Sequence, residues 1–242
     1  PEPNQLDKKT WETILPRMGH FFGIYDSDTT RPGLLEGGRA GVIVERANVF
    51  PKSPTIDTLI FNKIKAFYLE QAPEQLPNSP IKEIKKNLDY FKLHKPASKT
   101  KNPMHLMVRI IGPNQWYISD AGRSTFSIMD NKFKVQKTAS SPEGTVWVHQ
   151  GKEYSYALVI GPFNPTDMDL GFVMRLPNTP GQVTKIMAKD LQRPVHMDMG
   201  DLDGDGLEDM VIAEYGKNTG SLGWWKQGPS GNLQKFVLRN KP

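Results

Sequence analysis

The segment GDLDGDGLEDMVIAEYG, Gly200 to Gly216, places Asp201, Asp203, Asp205 and Asp209 within nine residues. The pattern is D-x-D-x-D-G-x-x-D. Alternate aspartates in a tight loop turn their carboxylates toward one point. Gly206 permits the sharp turn, and the backbone carbonyl of Leu207 offers a further oxygen. Hard oxygen donors in that number suit Ca²⁺. Without a cation, carboxylates this close repel one another strongly. The expected ligand set is therefore Asp201, Asp203, Asp205, Leu207 (through its carbonyl) and Asp209. An EF-hand is excluded, because its bidentate glutamate position falls on Ile212 and the β-branched exit MVIA reads as a strand. The competing reading is an ordinary Asp/Gly-rich turn that holds no ion.

Other chemistry has less support. The histidines are His20, His94, His105, His149 and His196, and none stands in an H-x-x-x-H or H-E-x-x-H spacing, so zinc hydrolysis is not indicated. There is no G-x-S-x-G elbow, and Gly33, Gly37, Gly38 and Gly41 do not open a helix after a strand. Acidic pairs for glycoside hydrolysis come together only in a fold, and nothing in the chain singles one out. Trp224 and Trp225 alternate faces on a strand, so one is expected to pack inward and the other to face out. The outward one is read as packing or plain surface, with a carbohydrate-stacking platform as the sharper alternative.

The elements that would carry these residues fall into two textures. Asp7 caps a helix with Trp11, Ile14, Leu15 and Met18 on one side, which Pro16 is expected to kink or end. Residues 23–56 read as irregular loop. Asp57 caps the clearest helix, with Leu59, Ile60, Ile64, Phe67 and Tyr68 as its apolar stripe and Pro73 at its end. Residues 78–102 read as a solvated linker rich in lysine and proline, interrupted by Glu83 and Asp89. From His105 onward, twelve short apolar segments are separated by turn residues, a texture that predicts an all-β sandwich, barrel or propeller. The expected domains are helical over 1–77, linker over 78–102 and β over 103–242.

Composition narrows the classes. The 242 residues carry a net charge of +5, mild for this length, so nucleic acid is not an expected partner. The absence of cysteine excludes disulfides, thiolate metal sites and covalent haem attachment within these residues. No apolar run is long enough to span a membrane. The opening Pro1-Glu2-Pro3 predicts a processed or trimmed start.

The stretch RPVHMDMGDLDGDGLEDMVIAEYGKNTGSLGWWKQ resembles a VCBS or FG-GAP repeat, in which a strand, an aspartate loop, a strand, a turn and a third strand form one blade of a β-propeller. That resemblance implies calcium on Asp201, Asp203, Asp205, Leu207 and Asp209. WYISDAGRSTFSIMD and SYALVIGPFNPTDMDLGFVMRL look like degenerate blades, with Asp120, Asp167 and Asp169 as remnants of the loop. The expected fold is mainly β: a partial propeller of about three blades preceded by a small α-helical domain. A closed propeller needs about four blades or more, so further blades or a partner protein are expected to complete the ring. PEPNQLDKKTWETILPRMGHFFG, LLEGGRAG and FNKIKAFYLEQAPEQLP together resemble the cytochrome c-like domain that precedes such repeats in some bacterial extracytoplasmic proteins. There the haem-attachment motif would lie before Pro1. Met18 and His20 are the residues of axial-ligand type, read here as a core methionine and a solvated or capping histidine. The resemblances and the calcium levels outside cells imply a non-catalytic binding or assembly module of the bacterial cell envelope, with an electron-transfer protein as the alternative.

Overall fold

A computed structural model describes residues 1–25, 30–77, 87, 89–93, 101–179, 181 and 183–240. Most of the expected linker, at 78–86, 88 and 94–100, therefore lies outside the described residues. The chain divides into two compact units, Pro1–Leu93 and His94–Pro242.

The first unit is helical. α1 (Lys8–His20) begins at Asp7, whose carboxylate accepts the Thr10 amide at 2.9 Å, satisfying one orphan donor of the first turn. Pro16 lies inside α1 without ending it. α2 (Thr30–Leu34) and α3 (Gly38–Arg46) occupy the stretch expected to be loop. The glycines that argued for a loop stand at the start of α3, whose interior buries Ala40 and Val44. α4 (Thr58–Gln71) is capped by Asp57, which accepts the Leu59 amide at 2.7 Å. α1 and α4 meet through Trp11 and Tyr68, edge to face with centroids 4.7 Å apart. They approach closely at Gly19, where a Cβ would stand 3.0 Å from the Phe61 ring. The expected stripe of α4 is largely exposed; Leu59, Ile60, Ile64 and Phe67 face solvent, and Phe61 is the buried residue.

The second unit is mainly β. Among the described residues, twelve strands form three four-stranded antiparallel sheets, each a meander in chain order. The first contains β1 (His105–Gly112), β2 (Gln115–Asp120), β3 (Thr125–Asp130) and β4 (Val135–Ser140). The second contains β5 (Thr145–Gln150), β6 (Tyr154–Val159), β7 (Gly171–Pro177) and β8 (Lys185–Leu191). The third contains β9 (Pro194–Gly200), β10 (Asp209–Tyr215), β11 (Gly220–Gln227) and β12 (Leu233–Arg239). Each of the twelve apolar segments picked out in the sequence holds one strand. None of the sheets closes on itself.

Two apolar layers join the sheets. Leu158, Val173, Ala188 and Leu191 of the second sheet pack with Met197, Met210 and Ile212 of the third. Met107 and Tyr117 of the first pack with Val148 and Ala157 of the second. The layer between the second and third sheets is the more completely buried of the two, and it supports the aspartate loop.

Candidate metal centre

β9 and β10 pair in antiparallel register down to Gly200 opposite Asp209, and the eight residues between them form the aspartate loop. The loop coils around Asp201. Its Oδ1 accepts the amides of Gly204 at 2.8 Å and Asp205 at 3.1 Å, and its Oδ2 accepts that of Gly206 at 2.9 Å. Gly204 and Gly206 both take positive φ, +79° and +84°, which residues with a Cβ adopt at a cost. Asp205 Oδ1 accepts the Leu207 amide at 2.9 Å.

This coil gathers Asp201, Asp203 and Asp205, each offering an oxygen within 4.8 Å of the others. All three are exposed. Calcium binds oxygen at about 2.3–2.6 Å, so oxygens on opposite sides of one ion stand about 5 Å apart, and the spacing of the triad fits. Hard carboxylate donors with no nitrogen or sulfur among them also fit calcium over zinc or copper. The group is the one cluster of three or more His, Asp or Glu side chains with such spacing among the described residues.

A resident cation already faces the triad. The Lys226 ammonium, from β11, contacts Asp203 and stands 3.3 Å from Asp205. The hydrogen bond to Asp203 raises the lysine above its ordinary range, with Asp205 adding to it against some loss of hydration.

Asp209 lies outside this triad. It is fully buried; its Oδ2 accepts Trp224 Nε1–H at 2.9 Å and the Leu202 amide at 3.4 Å, and its Oδ1 accepts the Gln227 amide at 2.8 Å. It ties the loop to β11. Leu207 contributes its amide to Asp205, while its side chain is half-buried.

Two of the suspected remnants, Asp120 and Asp167, have other partners. Asp120 is buried beside Arg123, at 2.9 Å, and His105, at 3.7 Å. Asp167 is fully buried and accepts two hydrogen bonds from Asn218 and two from Thr219, all at 2.8 Å. No local motif marks this role, because the partners lie 51 and 52 residues away.

Both tryptophans are half-buried, so neither stands out into solvent as expected. Trp225 packs against the apolar layer between the second and third sheets, and Trp224 lies against Phe236 with centroids 5.2 Å apart. The expectations for Met18 and His20 are reversed. Met18 is exposed, whereas His20 is buried, stacks on Tyr25 at 5.6 Å and has no hydrogen-bond partner at Nε2 among the described residues. His94 lies outside the described residues.

No protein-family model matches the chain, and neither a curated protein nor a solved structure matches it.

Proposed function

We propose that residues 103–242 are a calcium-binding propeller arc of the VCBS/FG-GAP type, acting without catalysis in binding or assembly at the bacterial cell envelope. The observation that carries the reading is the convergence of Asp201, Asp203 and Asp205 within 4.8 Å on a loop coiled by its own amides. Three meanders of four strands, packed in series through apolar layers, are what successive blades require. The outer sheets would then present their free faces to further blades or to a partner protein. Calcium would be structural, holding one hairpin loop. No helix among the described residues is long and apolar enough to cross a membrane.

The test is thermal unfolding of chelator-treated protein with and without added calcium. Calcium should raise the melting temperature of the parent chain and leave the Asp203→Ala/Asp205→Ala double variant unmoved. An equal rise in both proteins sinks the metal reading.

A second reading, an electron-transfer module with haem in the helical unit, draws on His20, which is buried and has no partner at Nε2 among the described residues. The chain has no cysteine, so its own residues do not fit covalent haem attachment. A Soret band in native material would favour this reading, and a colourless native protein would remove it.

A further inference from the structure

A cavity of about 590 Å³ opens between the first and second sheets. It lies on the other side of the second sheet from the layer that supports the aspartate loop. The cause is visible in the packing: only Met107, Tyr117, Val148 and Ala157 are fully withdrawn from water in this layer, and Ala157 is small. Well-packed interiors leave few voids larger than a water molecule, whereas this volume lies within the range of small-molecule sites.

The walls are chemically divided. Phe126, Ile128, Val148, Met174 and Leu176 supply an apolar surface. Lys137 of β4 and Lys152 of the β5–β6 turn are the charged residues of the lining, and no carboxylate joins them. Among the described residues neither ammonium has an ion-pair partner. Tyr117 also lines the cavity, is only 4% exposed, and its hydroxyl has no hydrogen-bond partner among the described residues. Burial pushes the Tyr117 phenol up, against the opposing charge of Arg109, so it remains a proton donor at neutral pH.

The rim is held in place. Ser119 donates to the Thr145 carbonyl at 2.7 Å and Thr145 to that of Pro142 at 2.9 Å, fixing the segment that joins the two sheets. Asn178 donates to the Gly151 carbonyl at 2.9 Å and accepts from Ser155 at 2.7 Å, fixing the turn that carries Lys152.

We infer that this cavity binds a small amphipathic carboxylate, its apolar body between the two sheets and its charge shared by Lys137 and Lys152. Two ammonium groups without an arginine fork or a nest of backbone amides suit a singly charged carboxylate better than a phosphate. The inference does not depend on calcium.

Titration calorimetry of the full chain with sodium octanoate, and with octan-1-ol as its neutral counterpart, tests it. Octanoate should bind saturably at one site, at least about tenfold more tightly than the alcohol. Lys137→Gln/Lys152→Gln should bring octanoate down to the level of the alcohol. Ala139→Trp, at an exposed position of β4 in the lining, should abolish binding of both. Both changes sit at exposed positions, and an unchanged melting temperature would show that they fold. Absence of saturable octanoate binding overturns the inference, as does equal affinity for the alcohol, or binding that survives loss of both lysines. The calcium response of the melting temperature is read separately, so failure here leaves that reading standing, and the reverse.

Discussion

The buried carboxylate of Asp167, between β6 and β7, accepts both the amide and the hydroxyl of Thr219 at 2.8 Å and so closes the β10–β11 turn. Asn218 adds two more donors to the same group. A loop of the second sheet thereby fixes a turn of the third. Removing the acceptor leaves several buried donors unpaired, and hydrogen bonds to charged groups are the costly ones to break. Asp167→Ala should destabilise the chain by about 3 kcal/mol in denaturant titration. The loss should be the same with and without calcium. A loss that grows when calcium is added would mean that Asp167 is a ligand after all.

Gly216 reports on the same clamp from another side. A Cβ there would stand 2.7 Å from the Thr219 carbonyl and 2.8 Å from Asp167 Oδ1, both too close. Gly216→Ala should therefore cost about 1–3 kcal/mol by forcing the turn away from the carboxylate. Combined with Asp167→Ala, part of that cost should disappear, because the group it displaces is gone. Strictly additive losses in the double-mutant cycle would show that the two positions act separately.

These two positions also mark where the sequence stopped being readable. The strands were legible because each is a short apolar segment bounded by turn residues, and the pairing partner is usually the next segment along. The aspartate loop was legible for a similar reason, since the Asp201 and Asp205 carboxylates bond amides of their own turn. Asp209 shares that spacing but begins β10, and its partners Trp224 and Gln227 come from the next strand. Spacing alone does not show which way a side chain turns at such a boundary. Asp167 depends on partners 51 and 52 residues distant, so its stretch looked like a decayed loop. In the helical unit, α3 was hidden by its flanking glycines, and the apolar count of α4 did not show which face meets α1.

Acid should reach two small devices last. In the β3–β4 turn, Asp130 accepts the Lys134 and Lys132 amides, both at 2.9 Å, and the Gln136 side chain at 2.7 Å. These donors, the Lys134 amide foremost, hold its carboxyl below the usual range. The Thr10 amide and hydroxyl do the same for the α1 cap Asp7. A depressed folded value means that the charged form stabilises the fold above the ordinary carboxylate range. That contribution is lost as pH falls through the lowered value. Carboxyl NMR titration should find both groups ionised after the bulk of the aspartates have protonated. An ordinary midpoint for Asp130 would show that its turn bonds do not persist in solution.

Lys226 should set the strength of calcium binding. Its ammonium stands against Asp203 and Asp205, two of the three carboxylates expected to hold the ion, so metal and lysine compete for the same oxygens. Lys226→Gln removes the competitor and keeps a side chain of similar length. Calcium affinity should rise several-fold, at most about tenfold, with the gain shrinking at high ionic strength as exposed charges are screened. In chelator the same variant should melt lower than the parent, because the three carboxylates then face one another without a counter-charge. The pH dependence has the opposite sign to that of Asp130. The folded lysine is raised, so its contribution is complete below the ordinary lysine range and is lost as pH climbs through the folded value. Calcium affinity of the parent should accordingly climb at alkaline pH, when the ammonium deprotonates, and that of Lys226→Gln should stay flat. Parallel pH profiles for the two proteins would show that calcium does not displace Lys226.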